Sequence, residues 1–242
     1  ATPRAVFDSL WSAMDEHYAF FDLHGVDWDA RRAFAPAVGD TMTDSALLAL
    51  LSDTLQGLDD GHIQIGAPIG YVSPAQGPDW LVDPLNRETL TQIARDTLGT
   101  DLTTVDQTGI EYAMLPDGVG YVLIQHMDID TPFGTTSQTA MALAFAQVTD
   151  AMADADSIII DLRYNPGGSD SVSFGVASHF VDTALDVFTK TTRDVSGQSA
   201  PFTATLQPFD ATPMMQPVIV LTSQLTGSAA EILTMALRDL PQ

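Results

Sequence analysis

The second half of the chain alternates short, continuous apolar runs with segments of helix length. The runs SIIID at 157–161 and PVIVL at 217–221 are rich in β-branched residues and lack the polar alternation of a half-exposed strand. Such strands are typical of sheets covered on both faces, in which parallel strands are joined by helices. The pattern therefore predicts an α/β fold over residues 118–242, with helices between the strands.

The first half has a different organisation. Residues 1–66 show apolar spacing typical of helices and a helix start at Thr43, which indicates a small N-terminal helical domain. Residues 67–117 are richer in glycine and proline, and we interpret them as a connecting region with a short hairpin at its start and one amphipathic helix.

Composition excludes several functions. The chain has 32 acidic and 9 basic residues, a net charge of −23, which disfavours nucleic acid and anionic membrane surfaces as partners. No apolar run approaches the ~18 residues of a membrane span. There is no cysteine, and no two histidines have the helical spacing of metal ligands, so we expect neither a metal site nor a cofactor.

Ser228 is the first candidate for chemistry. It follows a predicted strand and a short turn, and it opens the predicted helix SAAEILTMAL. Open α/β sheets bind ligands at the carboxyl ends of their strands, and the free N–H groups of a helix start, here including that of Ala229, can stabilise an oxyanion. The same residues also fit a capping box, with Ser228 bonding the N–H of Glu231. A cap and a nucleophile require different rotamers, so the two interpretations compete.

The second candidate is the segment DLRYNPGGSD at 161–170. Gly167 and Gly168 allow positive φ angles and close approach of a ligand, and successive N–H groups before a helix form a natural oxyanion nest. The alternative is a plain tight turn. The pattern matches neither a Walker loop nor the dinucleotide fingerprint, which disfavours nucleotide binding.

His62, in LDDGH, is the third candidate. Asp59 and Asp60 are close enough in sequence to orient its ring or to favour its charged form. The alternative is a surface or structural histidine. The same alternative applies to the other histidines, of which His126, at the end of a predicted strand, is the best substitute base; the rest are His17, His24 and His179.

These segments, in this order, resemble the C-terminal processing (tail-specific) serine peptidases, and more closely their tricorn-core-like branch. The motifs are LDDGH at 58–62, DLRYNPGG at 161–168 and GSAAE at 227–231. GVDWDARR and GVGYVLI, at 25–32 and 118–124, are also similar to that branch, so the resemblance covers nearly the whole chain.

The resemblance implies a Clp protease/crotonase-like core of ββα units preceded by a small helical domain. It further implies that Ser228 attacks the scissile carbonyl, that His62 is the general base, and that Ala229 with one of Gly167 or Gly168 forms the oxyanion hole. The expected substrate is an unfolded or C-terminal polypeptide segment, with no cofactor.

The resemblance also points to histidine as the base. Relatives that use a serine–lysine dyad carry the lysine downstream of the serine. Lys190, the only lysine, lies upstream of Ser228, so within this chain histidine is the remaining base.

The sequence departs from the family pattern in three ways. Gly61 replaces the serine that precedes the histidine in the tricorn pattern. The chain ends soon after Ser228, whereas members of the family continue with further strands and helices. We therefore expect the core that starts at residue 118 to be incomplete at Gln242. The residue that orients His62 is expected in the part that follows. The 67–117 region is short for the PDZ domain of many relatives, so we expect none there.

Two other functions stay open. The first is a non-catalytic binding module for an apolar ligand or peptide on the same fold. The second is crotonase-type acyl chemistry, which uses the oxyanion turn without a serine. A chain that starts at Ala1 fits a cleaved signal peptide, which favours a periplasmic or secreted location over a cytoplasmic one. Related cores often assemble, so a homo-oligomer is also an open expectation.

Overall fold

The structure is a computed structural model that describes residues 1–74, 84–131, 134–209, 212–238 and 240. The chain forms two compact units. Unit 1 holds the described residues of 1–78 and 190–202, and unit 2 holds those of 79–189 and 203–242.

The α-helices of the described residues lie in both units. They are α1 (Pro3–His17), α2 (Phe21–His24), α3 (Asp44–Leu55), α4 (Pro84–Leu98), α5 (Ser137–Ala151), α6 (Asp170–Ala177) and α7 (Ala229–Arg238). Threonines cap three of them by accepting a backbone N–H of the first turn; these are Thr2, Thr43 (as predicted) and Thr136. None of the described helices combines the length and apolarity needed to cross a membrane.

Within the described residues, the strands form one five-stranded sheet and three strand pairs. They are β1 (Ile65–Ala67), β2 (Gly70–Val72), β3 (Thr103–Val105), β4 (Thr108–Met114), β5 (Val119–Ile129), β6 (Ser157–Asp161), β7 (Leu185–Lys190), β8 (Arg193–Asp194), β9 (Gly197–Gln198), β10 (Phe202–Leu206) and β11 (Val218–Leu221). The sheet has the order β11-β6-β5-β4-β3, and the pairs are β1–β2, β7–β10 and β8–β9.

The five-stranded sheet of unit 2 confirms the predicted α/β class with a Clp protease/crotonase-like core. Strand β6 runs parallel to both β5 and β11, whereas β4 is antiparallel to its neighbours β3 and β5. Ile158 and Ile160 of β6 are fully buried in one continuous core that also takes in residues of α5, α6 and α7. Burial of such side chains contributes about 1.5–3 kcal/mol each.

Strand β11 differs from its prediction. Its continuous apolar run predicted a strand buried on both faces, yet β11 is the last strand of the described sheet and Ile219 is 53% exposed. A run of β-branched residues therefore located the strand, while its position in the sheet decided its burial.

Unit 1 contains helices, as the apolar spacing of residues 1–66 predicted. Residues Asp29–Ala37 form a 3₁₀-helix that contains Pro36 and not an α-helix. Proline lacks an N–H donor and clashes with the preceding turn of an α-helix, which accounts for the different geometry. An aromatic and leucine cluster of Phe21, Trp28, Leu55 and Leu58 lies next to this segment in unit 1.

The predicted hairpin, β1–β2, begins at Ile65, just before the 67–117 region, and the predicted helix, α4, lies within that region. Its strands β3 and β4 belong to the sheet of unit 2. Residues 75–83 lie outside the described part. The domain boundaries 1–66, 67–117 and 118–242 stay a prediction.

Candidate active site

The parallel register of β6 and β11 brings two chain turns together in unit 2. Leu221 of β11 is paired with Asp161 of β6, so the two strands end at the same edge of the sheet. The segment after β6 contains the glycine turn, and the segment after β11 leads to Ser228. This edge is where open α/β sheets bind ligands.

Hydrogen bonds join the two segments along their length. The Leu162 N–H donates to the Leu221 carbonyl at 2.9 Å, and the Thr226 hydroxyl donates to the Leu162 carbonyl at 2.8 Å. Nearer the serine, the Gly227 N–H donates to the Asn165 carbonyl at 3.1 Å. The two turns are therefore joined by hydrogen bonds at three points.

Ser228 occupies a left-handed backbone conformation, with φ of 51°. This conformation is unfavourable for a residue with a β-carbon, and a serine held this way between a strand and a helix is typical of exposed nucleophiles. Helix α7 begins at the next residue, Ala229.

Both glycines of the turn are required by their surroundings. Gly167 has φ of 104° and Gly168 has φ of 143°, so both adopt backbone conformations that other residues avoid. A β-carbon on Gly167 would lie 2.6 Å from the Ser228 β-carbon, and one on Gly168 would lie 2.4 Å from the Met127 carbonyl oxygen. The glycine turn therefore packs closely on both sides, with Gly167 against Ser228 and Gly168 against Met127.

The backbone N–H groups around Ser228 are of two kinds: some donate to a protein acceptor, and others are available to a ligand. The Ser228 N–H donates to Glu231 Oε2 at 2.9 Å, and the Gly167 N–H donates to Asn165 Oδ1 at 2.8 Å. Within the described residues, the N–H groups of Gly168 and Ala229 have no protein acceptor. Of the two glycines considered for the oxyanion hole, Gly168 thus has the available donor.

Met127 explains the direction of the Gly168 N–H. The Met127 N–H donates to the Gly167 carbonyl and its carbonyl accepts from the Ser169 N–H, both at 2.8 Å. In a parallel ladder, the residue between two such bonds points its own N–H away from the partner strand. The Gly168 N–H consequently faces the side opposite Met127.

Asn165 is a residue that the sequence analysis did not single out. Its side chain is fully buried, accepts from the Gly167 N–H and donates to the Ile124 carbonyl at 2.9 Å. Its backbone carbonyl accepts from Gly227. Asn165 therefore links strand β5, the glycine turn and the serine turn. An asparagine two residues before a glycine is a turn signal that could have pointed to it.

A buried carboxylate, paired with a partly exposed arginine, lies at the start of the glycine turn. The Asp161 carboxylate is fully buried, accepts the Tyr121 hydroxyl at 2.6 Å, and pairs with the Arg163 guanidinium at 2.6 Å. Burial, and then the bond to Asp161, raises the pKa of Tyr121, so its hydroxyl stays a donor. The bond to Asp161 also raises the pKa of Arg163.

The capping-box interpretation of Ser228 is met in part. The Glu231 carboxylate accepts the Ser228 N–H, which is one half of the motif. The Glu231 N–H donates to the Ser228 backbone carbonyl at 2.9 Å. The helix start is thus held by backbone and glutamate contacts.

His62 lies in unit 1, on the loop that follows α3. Asp60 Oδ1 accepts the His62 backbone N–H at 2.9 Å and lies 3.2 Å from ring Nδ1. Asp60 Oδ2 accepts the Tyr18 hydroxyl at 3.1 Å. The His62 side chain is 76% exposed, whereas that of Asp60 is 18% exposed.

The pKa values of Asp60 and Tyr18 are shifted by their contacts. Burial alone would raise the pKa of Asp60, but hydrogen bonds from the His62 backbone, the Tyr18 hydroxyl and the His62 ring together lower it. Burial, and next the Asp60 charge, raises the pKa of Tyr18 to about 12. At neutral pH, Asp60 is therefore an anion and Tyr18 a hydroxyl donor.

The other histidines have different settings. His126, in unit 2, lines a cavity of about 420 Å³ with Arg87, Tyr164 and Pro166, so it lies near the glycine turn. His179 is a buried core residue, with Nε2 2.8 Å from the Ala142 carbonyl. His17 and His24 belong to unit 1; His17 lies beside Glu16, and His24 stacks on Tyr18.

Family profiles match both ends of the chain. The profile of peptidase family S41 matches residues 118–242, which is more than half of the chain. The profile of the tricorn protease C1 domain matches residues 1–56. The S41 match contains DLRYNPGG and GSAAE, and LDDGH at 58–62 lies just after the C1 match.

Solved structures share the fold. A proposed peptidase from Parabacteroides merdae is 27% identical, with a TM-score of 0.80 over 100% of this chain and 74% of that chain. A photosystem II D1 C-terminal processing protease is 16% identical, with a TM-score of 0.50 over 99% and 79%. Mature CPAF is 13% identical, with a TM-score of 0.59 over 99% and 81%.

The strand–turn–serine arrangement and the family match lead to one assignment. The matched region contains β5, β6, β11 and both turns at their carboxyl edge. The chain belongs to peptidase family S41, a family of serine-type peptidases.

Proposed function

We propose that this serine peptidase is an endopeptidase that cleaves unfolded or C-terminal polypeptide segments, with Ser228 as nucleophile and His62 as general base. The observation that carries the proposal is the packing of Gly167 against Ser228 in its left-handed conformation. That packing supports a serine hydroxyl placed beside an oxyanion nest. The fold shared with a photosystem II D1 C-terminal processing protease supports the substrate class.

The proposed reaction is acyl transfer in two steps. Ser228 Oγ attacks the peptide carbonyl while His62 Nε2 accepts the hydroxyl proton. The tetrahedral oxyanion collapses, the C–N bond breaks, and His62 returns the proton to the leaving amine. Water then attacks the acyl-enzyme by the same route and releases the carboxylate product and free serine.

We assign the oxyanion hole to the N–H groups of Gly168 and Ala229. Both lack a protein acceptor within the described residues, whereas the N–H groups of Gly167 and Ser228 are already bonded. Ala229 also opens helix α7, whose N-terminus favours negative charge. Each such donor is worth about 10²–10³-fold in kcat in other acyl-transfer enzymes.

The proposal is tested by fluorophosphonate labelling of the intact protein, together with hydrolysis of fluorescein-labelled unfolded casein. Ser228→Ala should abolish labelling, and His62→Ala should slow it by at least about 10²-fold, since a base contributes that much or more. His126→Ala is the matched control, because it removes the other candidate imidazole.

Each outcome has a clear meaning. Labelling that survives Ser228→Ala overturns the nucleophile assignment. A loss with His126→Ala and none with His62→Ala moves the base to His126. An unlabelled wild-type protein that binds an apolar ligand or peptide supports the non-catalytic alternative instead.

Location and assembly are part of the proposal. We place the protein outside the cytoplasm, a location consistent with the fold shared with a lipoprotein from Streptococcus agalactiae. Assembly into a homo-oligomer is tested by light scattering coupled to size-exclusion chromatography.

A further inference from the structure

We propose that the cavity beside the glycine turn is a substrate subsite in which Arg87 binds a carboxylate of the peptide, supplied by its C-terminus or by an acidic side chain. The inference deepens the proposed function and rests on it, because it takes a peptide as the ligand of this site. It names the chemical group by which the protein selects that peptide.

The cavity borders the turn that packs against Ser228. Its volume is about 420 Å³, which is within the usual range for small-ligand pockets, and its lining residues, among them Arg87 of α4 and Pro166, all belong to unit 2. Pro166 directly precedes Gly167, and its carbonyl oxygen would lie 3.5 Å from a β-carbon on Gly227. A peptide whose scissile carbonyl lies at this turn therefore has neighbouring residues within reach of the cavity.

Arg87 is held at the cavity wall by a single side-chain bond. Its Nη1 donates to the Tyr164 carbonyl at 3.0 Å, and no carboxylate of the described residues lies within ion-pair distance of its guanidinium. A guanidinium has five N–H donors in a planar fork, so one bond to a carbonyl leaves donors for a carboxylate. The bond to Tyr164 also holds the fork beside the glycine turn.

Two other arginines of unit 2 have the anionic partner that Arg87 lacks. Arg95 pairs with Glu111 at 2.8 Å, and this carboxylate raises the pKa of Arg95. Arg163 pairs with Asp161, with the same effect on the pKa of Arg163. Burial lowers the pKa of Arg87, because its charge loses water without gaining an anion among the described residues. A substrate carboxylate would supply that charge.

The acidic residue in the cavity wall, Glu88, does not pair with Arg87. Its side chain is 70% exposed, and its Oε1 lies 4.0 Å from Arg95 Nη1. The polar lining residues Thr91 and Gln125 are uncharged. Arg87 is therefore the permanent cation among these lining residues, in a chain whose net charge of −23 disfavours anions elsewhere.

The first experiment measures binding without hydrolysis, in the Ser228→Ala protein. Overlapping fluorescein-labelled casein peptides are prepared in three forms: with a free C-terminus, with a C-terminal amide, and with that amide and every acidic side chain replaced by its amide. Fluorescence anisotropy should show a loss of affinity of about 10-fold or more at one of the two steps, since a charge-assisted hydrogen bond is lost there. The step at which affinity falls identifies the terminal or the side-chain carboxylate. Equal binding of the three forms overturns the inference.

Three variants in the same background test whether Arg87 causes the preference. Arg87→Gln removes the charge and should make the three forms bind alike, whereas Arg87→Lys keeps the charge without the fork and should retain part of the preference. Arg4→Gln is the matched control, because it removes an equal charge on α1 of unit 1 and should leave the full preference.

The ratio of affinities separates a subsite from a structural role. Damage to the glycine turn weakens all three forms equally and leaves their ratio unchanged. A wild-type ratio in Arg87→Gln therefore overturns the inference. If Arg87→Gln fails to fold by circular dichroism, Arg87→Lys decides, and a wild-type ratio there is the overturning result.

Failure of this inference is distinguishable from failure of the proposed function. If the wild-type protein is labelled by fluorophosphonate and cleaves casein while the three peptide forms bind alike, the subsite is wrong and the peptidase assignment stands. If the wild-type protein is neither labelled nor active, but the carboxylate preference is present and depends on Arg87, the subsite stands and the proposed reaction is wrong.

Discussion

Gly167 lies so close to Ser228 that a β-carbon on the glycine would stand 2.6 Å from the serine β-carbon. Contacts that short essentially do not occur between real side chains, so the glycine is a steric requirement of the site. The two residues are far apart in sequence and meet because β6 and β11 end side by side. This contact leads directly to the first prediction.

Gly167→Ala should slow fluorophosphonate labelling by about 10²-fold, because the added methyl group displaces the serine turn and φ of 104° disfavours alanine. Gly39→Ala is the control, since a β-carbon there meets nothing within 4 Å. Equal labelling of the two variants would show that the close approach does not matter for reactivity.

Asn165→Ala should destabilise unit 2 and slow labelling together. It leaves the Gly167 N–H and the Ile124 carbonyl without their buried partner, at a cost of about 1–3 kcal/mol in unfolding free energy. Urea denaturation and labelling kinetics measure the two effects.

Thr149→Val is the control, because it removes a hydroxyl hydrogen bond on α5. It should lower stability without slowing labelling. A matching loss of labelling in Thr149→Val would contradict the linking role of Asn165.

Ser228→Gly should be at least as stable as Ser228→Ala, although both are inactive. Glycine relieves the left-handed strain of about 1–2 kcal/mol, and this gain exceeds the ~0.5–1 kcal/mol that its chain flexibility costs. Thermal unfolding of the two inactive variants tests the point. A glycine variant that melts lower than the alanine variant would argue against strain at the serine.

Asp60 should stabilise unit 1 in a pH-dependent way. Its pKa is lowered below the usual 3.8 by hydrogen bonds, so its contribution is present above that pH and is lost as the pH falls through the lowered value. The difference in unfolding free energy between wild type and Asp60→Asn should therefore be largest near neutral pH and shrink below about pH 4. Urea titrations followed by fluorescence of Trp11 and Trp28 measure it; a difference that stays constant with pH would contradict the prediction.

Several elements could be predicted from local sequence. The β-branched run at 157–161 predicted a buried parallel strand, and Thr43 predicted the start of α3; both are confirmed. Such signals succeed because they depend on side-chain pattern and capping chemistry within a few residues. Apolar spacing did not distinguish an α-helix from the 3₁₀-helix that residues 29–37 form.

The choice between chemically similar neighbours could not be predicted. Sequence left Gly167 and Gly168 equivalent as oxyanion donors, and Asp59 and Asp60 equivalent as partners of His62. The distinction between the glycines depends on Asn165 and on Met127, which belongs to another strand. The contact between Asp60 and the Tyr18 hydroxyl could not be predicted either, because Tyr18 is remote in sequence.

The motifs LDDGH, DLRYNPGG and GSAAE were enough to indicate the family and the segments of the candidate site. The order of strands and helices in the core could be predicted because apolar periodicity is a local property. The availability of the N–H groups around Ser228, the contact between Tyr18 and Asp60, and the exposure of β11 depend on the fold. Those outcomes depend on hydrogen-bond partners and strand neighbours that are distant in sequence, and the direction of an N–H group is set by the neighbours that the fold brings to it.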